Sequence, residues 1–252
     1  MSDTTEPGYM TWAREQFGKP VSPPSDSEPR VFRPGPDNDR HPVLAALPPE
    51  VRLTVYRRGD LRDIAAGDRL GGGGYVLFIL TGAVGLFPDD GSGVCLGLAG
   101  PGSVVNAEAL ADAESRREMK VLAKGAALAL RGPELRNILG RDRADRFVID
   151  QMLDARAAVD REVACAARHL AAARLARWLL ILNEASGGGE IQITQAFLAE
   201  MLGIQRTSVN AAARALQKRG GLRSVRGRVR VLDRTKLETQ ACECLTPPTS
   251  RR

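Results

Sequence analysis

The sequence has no apolar run of membrane-spanning length and few of the side chains that carry most enzyme chemistry. A bilayer-spanning helix needs about 20 consecutive apolar residues, and no such run occurs. There are two histidines and no paired carboxylates, Ser–His–Asp set or zinc-protease motif. The first ten residues include acids but no base, unlike a secretory signal. We therefore expect a cytoplasmic protein without catalytic residues and without a membrane partner.

Cysteine is scarce, with four residues in the chain and none before Cys95. Cys242 and Cys244 form a C-x-C pair, which could ligate a metal or pair on oxidation. No other Cys or His is near them in sequence, and cytosol disfavours structural disulfides. We therefore expect free thiols on a C-terminal tail, no metal site and no cofactor. We expect a structural role for His169, which lies among alanines, and a solvated position for His41 in a proline-rich segment.

Basic charge is concentrated near the C-terminal end of the chain. Residues 193–236 contain eight arginines and two lysines against two acids, a net charge of +8, whereas the whole chain carries +6. Positive charge confined to one module is typical of a protein that binds a polyanion. This segment lacks the bulky apolar face of a membrane-surface helix. The charge distribution therefore favours nucleic acid as the partner.

The N-terminal half divides into two segments of different composition. Residues 1–42 contain eight of the fifteen prolines, and such a segment buries too little apolar surface to offset chain ordering, so we expect disorder. Residues 43–132 alternate short apolar runs with Gly and Asp turns, and the runs at 75–80, 83–87 and 94–99 are of strand length. This spacing predicts a small antiparallel β-roll.

Residues 133–170 are predicted to be helical and to carry a seam for a second helix. Its apolar positions recur at alternating steps of three and four, as in a coiled coil. The flanking residues are charged, which favours a partner helix over packing on the same domain, the alternative that remains open. The predicted dimer seam consists of Ile149, Met152, Arg156, Val159, Val163, Ala166 and Leu170.

Residues 171–237 are predicted to form a winged helix-turn-helix. Thr194 can cap a helix that runs to about Leu202, Gly203 suits a sharp turn, and a second helix starts near Gln205 and runs to about Lys218. The arginine-rich segment LRSVRGRVRVLD follows and predicts a β-hairpin wing that neutralises phosphates. A plain helical hairpin is the alternative, but it leaves these arginines unexplained. Residues 238–252 are expected to be a tail.

The order of these parts resembles the CRP/FNR family of bacterial regulators, over about residues 43–237. The resemblance is strongest in ITQAFLAEMLGIQRTSVNAAARALQKRGGL (193–222) and weaker in LTGAVGLF and LAGPGSVV. It implies an α+β fold with a β-roll, a long dimerisation helix and a winged helix-turn-helix. It also implies a homodimer on a palindromic operator of double-stranded DNA, with half-sites about one helical turn apart, and RNA polymerase as protein partner.

The resemblance also suggests which residues contact DNA. Arg206 matches a family arginine that can bind guanine. Thr207 stands where the family has an acid, and Ala211 stands where it has a second arginine. Asn210 has the side chain that can hydrogen-bond to adenine. We therefore expect Arg206, Thr207 and Asn210 to read bases, and an operator that differs from the usual family consensus. The residues expected at the DNA backbone are Gln195, Gln205, Ser208, Arg214, Lys218, Arg223, Arg226 and Arg228.

The effector site of the family is altered in this sequence. Cyclic-AMP-binding members cradle the nucleotide with Gly-Glu-Leu and Arg-Ser-Ala triplets, which fall here on Asn106-Ala107-Glu108 and Arg117-Glu118-Met119. The ribose-binding acid is displaced, and Glu118 is expected to put negative charge where the phosphate would sit. We therefore expect that this protein does not bind cyclic AMP in the way that is usual for the family.

Other family cofactors are also unexpected. The early cysteines of iron–sulfur members and an axial histidine in the roll for haem are missing. The effector stays open, as does the alternative that the roll binds a protein partner and DNA binding is secondary.

Overall fold

The computed structural model describes residues 41–71, 74–225 and 227–245, and it begins with two short helices. Helix α1 spans Pro42–Ala45 and helix α2 spans Pro49–Arg58. Both start with proline, whose fixed φ suits the first turn of a helix. The predicted disorder of residues 1–42 falls outside the described residues except at its last two positions, which are folded at the start of α1.

The roll is an antiparallel sheet built around two long strands, β3 and β6. The main path runs in the order β1-β6-β3-β4, while β2 pairs with β6 and β5 pairs with β3. The two predicted strands at 75–80 and 83–87 are one continuous strand with register shifts, and only the end of the run at 94–99 is a strand. The strands are β1 (Asp60–Ile64), β2 (Arg69–Leu70), β3 (Tyr75–Pro88), β4 (Gly97–Ala99), β5 (Val104–Val105) and β6 (Arg117–Arg131).

The backbones of β3 and β6 come into close contact where their register shifts. The register between β3 and β6 shifts near Thr81. A Cβ atom on Gly125 would lie 2.0 Å from the carbonyl oxygen of Thr81, so only glycine fits there. Strand β3 thus contributes to two separate cores, through buried Phe78 in one and buried Phe87 in the other.

Three helices lead from the roll to the C-terminal domain. Helix α3 spans Gly132–Leu139, helix α4 spans Arg141–Arg168 and helix α5 spans Ala171–Ala185. The single helical stretch predicted at 133–170 is therefore interrupted at Gly140. Between α4 and α5 the chain is extended at His169, so that α5 starts in a new direction.

The C-terminal domain contains a helix-turn-helix and a three-stranded sheet in the order β7-β9-β8. Its core joins Leu179 of α5, Leu198 of α6 and Leu216 of α7. Among the described residues, no helix is long and apolar enough to cross a bilayer. The elements are β7 (Ile191–Gln192), α6 (Gln195–Leu202), α7 (Arg206–Lys218), β8 (Leu222–Val225), β9 (Arg228–Val231), α8 (Arg234–Glu238) and a 3-10 helix (Glu243–Leu245).

Candidate DNA-binding surface

Helix α6 and the turn after it have the geometry that the sequence predicts. The hydroxyl oxygen of Thr194 accepts a hydrogen bond from the backbone N–H of Phe197 at 3.1 Å, which caps the helix. Gly203 ends it with φ +61° and ψ +39°, in the left-handed region that glycine adopts without strain. The cap and the turn set the angle at which α7 leaves α6.

Helix α7 has one buried face and one exposed polar face. Val209, Ala212, Ala213 and Leu216 are buried against α5 and α6. Its first turn contains no acid, so the positive end of the helix dipole is available to an anion. The exposed polar residues at or after its start are Gln205, Arg206, Thr207, Arg214, Gln217 and Lys218.

Three residues predicted to contact DNA are less accessible than the rest of this face. Gln195 and Ser208 are half-buried. Asn210 is also half-buried, and its Oδ1 is enclosed without a hydrogen-bond partner among the described residues. Because that oxygen faces inward, Asn210 can read a base only if its amide presents Nδ2 or rotates outward.

The wing is a hairpin of β8 and β9 that exposes arginines at alternate positions. Arg228 and Arg230 flank buried Val229, and Arg223 pairs in register with Arg230. Arg230, which lies in the arginine-rich segment predicted to neutralise phosphates, belongs to this exposed set. Arg226 lies outside the described residues. Arg228 approaches exposed Glu190 at 3.3 Å, a surface pair that contributes little to stability.

The roll contains a small cavity at the positions of the two altered triplets. Its volume is about 80 Å³, well below the size typical of ligand pockets. The side chain of Asn106 donates to the carbonyl oxygen of Tyr75 at 2.6 Å and is therefore already engaged. The lining includes Asn106, Ala107, Glu108, Arg117 and Met119 from the roll, and Gln151, Met152 and Ala155 from α4.

The expectation that Glu118 faces this cavity is wrong. Successive side chains of a strand point to opposite faces, and in β6 Arg117 and Met119 line the cavity. Glu118 points away from it and pairs with Arg69 of β2, with 3.2 Å between Oε1 and Nε. Its charge therefore does not lie where a bound phosphate would sit.

The predicted dimer seam lies mostly on the exposed face of α4. The opposite face of α4 is buried on the roll through Ala144 and Phe147. Val159 is half-buried, and Leu170 lies past the end of α4, where it caps α5. The exposed apolar side chains are Ile149 (54%), Met152 (55%), Leu153 (62%), Val163 (63%) and Leu170 (83%).

Both histidines have surroundings that the sequence did not indicate. His41 is buried, not solvated as expected. His169 lies beside Cys165, Cys242 and Cys244, and one ligand atom from each of the four residues is within 4.8 Å of the others. Cys242 is buried, so this part of the predicted tail is folded against the domain. The fold thus brings to the C-x-C pair two ligands that are distant in sequence.

Comparison with known proteins supports the same assignment of parts. Residues 173–240 match the family model of the Crp-like helix-turn-helix domain. No curated protein matches the sequence.

Three solved structures share the fold. A CRP-family transcriptional regulator from Thermus thermophilus is 20% identical, with a TM-score of 0.58, over 74% of this chain and 100% of that one. A putative regulator of the crp/fnr family from Eubacterium rectale is 16% identical, with a TM-score of 0.60, over 79% of this chain and 97% of that one. A CRP/FNR-family regulator, also from Thermus thermophilus, is 23% identical, with a TM-score of 0.56, over 72% of this chain and 98% of that one.

The chain therefore has the fold of solved CRP/FNR-family regulators, in which a roll precedes a helix-turn-helix. Residues 173–240 are a Crp-like helix-turn-helix domain, and the rest of the chain shares only its fold with these regulators. The predicted resemblance and the predicted fold class are both confirmed.

Proposed function

We propose that this regulator binds a palindromic operator as a homodimer, with α7 in the major groove and the wing on the phosphate backbone. The observation that carries the proposal is the exposed start of α7, where Arg206 and Thr207 have no acid beside them. Arg206 can donate two hydrogen bonds to guanine. The arginines of β8 and β9 supply charge for phosphates on the same domain.

The exposed apolar face of α4 supports the homodimer. Side chains such as Ile149 and Val163 are more than half exposed in one chain, and several exposed apolar side chains on one helix are typical of an interface. A second copy is the natural occupant because helices with the same seam pack together. Two recognition helices related by two-fold symmetry would then read two half-sites. RNA polymerase is the protein partner expected of such a complex.

The decisive experiment selects genomic DNA fragments with the purified protein and then measures binding of the selected site. A palindrome with half-sites about one helical turn apart supports the proposal. Arg206→Ala is expected to weaken binding to this site by about 1–3 kcal/mol with little effect on random DNA. Gel-shift titrations on both DNAs measure the difference.

Two variants make this test specific. Arg228→Ala is expected to weaken binding to the operator and to random DNA equally, and to reduce the slope against log salt by about one. Arg57→Ala, the control, removes an exposed arginine from α2 of the roll. It should change neither the affinity for the two DNAs nor the slope against log salt. Equal losses on both DNAs for Arg206→Ala would refute its assignment as a base-reading residue.

We also infer that cyclic AMP is not the effector. The support is the small volume of the roll cavity and the engagement of Asn106 with Tyr75. The cavity keeps an acid, Glu108, and a base, Arg117, so the argument rests on space and not on charge. Isothermal titration with cyclic AMP is expected to give no binding heat, and a micromolar dissociation constant would contradict the inference.

A further inference from the structure

Four potential metal ligands meet where the long helix joins the DNA-binding domain. Cys165 lies in the last turn of α4 and His169 directly follows that helix. Cys242 and Cys244 lie at the 3-10 helix that follows α8. All four ligand atoms lie within 4.8 Å of one another. Residues about 75 positions apart in sequence (77 for Cys165 and Cys242) thus form one compact cluster.

The distances in this cluster suit a single tetrahedral ion. The Sγ atoms of Cys165 and Cys242 are 3.6 Å apart, and the Sγ atom of Cys244 is 3.7 Å from Nδ1 of His169. Zinc bonds of about 2.3 Å to sulfur and 2.0 Å to nitrogen place neighbouring ligand atoms about 3.5–3.8 Å apart. The ligand atoms lie within 4.8 Å of one another, so the largest distance between two of them needs to shorten by only about 1 Å. In an iron–sulfur cluster, several atoms separate the cysteine sulfurs, so the compact arrangement favours one ion.

The side chains around the cluster resemble the outer shell of a metal site. Nε2 of His169 lies 3.1 Å from Oε1 of Glu243, while Nδ1 of the same ring faces the thiols. A carboxylate on the second ring nitrogen fixes the tautomer that leaves the first nitrogen free to ligate. Glu243 is exposed, and its main partners are His169 and Arg168.

The charge near the thiols is also compatible with a metal thiolate centre. Arg177 is buried, ion-paired with Glu162, and its Nε has no hydrogen-bond partner among the described residues. Burial raises the pKa of the Cys165 and Cys242 thiols, and the nearby guanidinium of Arg177 opposes that shift. Three thiolates around a zinc ion leave a net negative charge, which a buried cation stabilises.

We propose that Cys165, His169, Cys242 and Cys244 bind one zinc ion and thereby tie the end of α4 to the C-terminal end of the DNA-binding domain. The set of three cysteines and one histidine is a common structural zinc site. The backbone N–H of Cys242 already donates to the carbonyl oxygen of Ala173 in α5 at 3.4 Å. The ion would thus restrain the junction at which the chain turns from α4 to α5.

The consequence for DNA binding rests on the proposed function. The orientation of the helix-turn-helix relative to α4 decides whether two recognition helices in a dimer match two half-sites. A metal ion at the junction limits that orientation. We therefore expect operator affinity to fall at least tenfold when a chelator removes the ion, with a smaller loss on random DNA.

The first experiment measures metal in the full-length protein without DNA, so that its outcome does not depend on operator binding. The protein purified from zinc-supplemented medium should contain about one zinc per chain by mass spectrometry of the metal. Titration of the chelated protein with cobalt(II) should produce the strong visible absorption of a tetrahedral thiolate site. Cys244→Ser should abolish both signals. Cys95→Ser, which makes the same change in the roll, should retain them.

A second variant tests the site without removing a ligand. Glu243→Gln is at an exposed position and leaves all four ligands in place, so the fold should be unchanged. Loss of the carboxylate is expected to weaken zinc affinity about 10- to 100-fold, measured by competition with a chromophoric chelator. An unchanged affinity would overturn the outer-shell role of Glu243.

Three results would overturn the proposal itself. One is less than a tenth of a zinc per chain together with weak, octahedral cobalt absorption. Another is equal metal loss in Cys95→Ser and Cys244→Ser. The third is a Cys165–Cys242 disulfide in the native protein by non-reducing peptide mapping. If metal binds but chelation leaves operator affinity unchanged, the site stands and its coupling to DNA binding is refuted.

Discussion

At the scale of single residues, His41 shows how burial changes the chemistry of a side chain. Its ring is only 4% exposed and lies edge-on to Phe78, with 5.5 Å between ring centres. Nδ1 accepts from the backbone N–H of Leu44 at 3.4 Å, and Nε2 lies 3.3 Å from the carbonyl oxygen of Ser103. An imidazole that accepts at one nitrogen and donates at the other is neutral, and burial lowers the pKa of His41 below its usual 6.5.

This lowered pKa predicts that the protein loses stability in weak acid. Below about pH 6.5, His41 takes up a proton in the unfolded chain but not in the folded one, so the free energy of unfolding falls until the lowered pKa is reached. Above about pH 6.5 the ring is neutral in both states, so it does not make the free energy of unfolding depend on pH. His41→Gln should flatten the slope just below about pH 6.5 in urea unfolding.

The control for this prediction is the same variant in weak base. Between about pH 7.5 and 8.5 the difference in unfolding free energy between wild type and His41→Gln should be constant, since neither side chain titrates there. An equal acid slope in both proteins would show that another group is responsible.

At the scale of elements, α4 combines two faces with different partners. The face with Ala144 and Phe147 is buried on the roll, and a large part of the opposite face is apolar yet exposed. Arg156 on the exposed face pairs with Asp160 one turn later at 2.9 Å. A helix that is apolar on both faces is typically buried on both, and the exposed face of α4 is therefore the basis of the proposed homodimer.

Val163→Glu is therefore expected to weaken the homodimer. A carboxylate at the centre of an apolar seam has no partner and loses its hydration when the helices meet. We expect the dimer dissociation constant to rise at least tenfold, as measured by analytical ultracentrifugation. Ala157→Glu, an exposed position on α4 outside the seam, is the matched control and should stay dimeric. A dimer of unchanged affinity in Val163→Glu would place the interface elsewhere.

At the scale of the whole molecule, the roll and the helix-turn-helix share a packed contact. Phe87 of β3 lies 6.1 Å from Phe197 of α6, and the ammonium of Lys120 lies 4.8 Å from the ring of Phe197. The backbone N–H of Cys95 donates to the carbonyl oxygen of Met201 at 3.0 Å. The segment before β4 therefore contacts the helix that supports α7.

The sequence alone determined the order of the parts and the bounds of the helix-turn-helix. Those features depend on local signals: the cap at Thr194, the turn at Gly203, the apolar spacing within each helix and the charge of the wing. Local signals act between residues a few positions apart, and the chain carries them whatever its tertiary structure. The resemblance to the CRP/FNR family could be recognised from the sequence because it depends on these same local signals.

Only the tertiary structure decided which distant residues meet. The direction of Glu118 depends on the pairing of β6, and the burial of His41 depends on its contact with Phe78. The meeting of Cys165 and His169 with Cys242 and Cys244 depends on how α8 and the residues after it return to the end of α4. Such contacts join segments far apart in the chain and are formed by packing of the whole core, which no local pattern encodes.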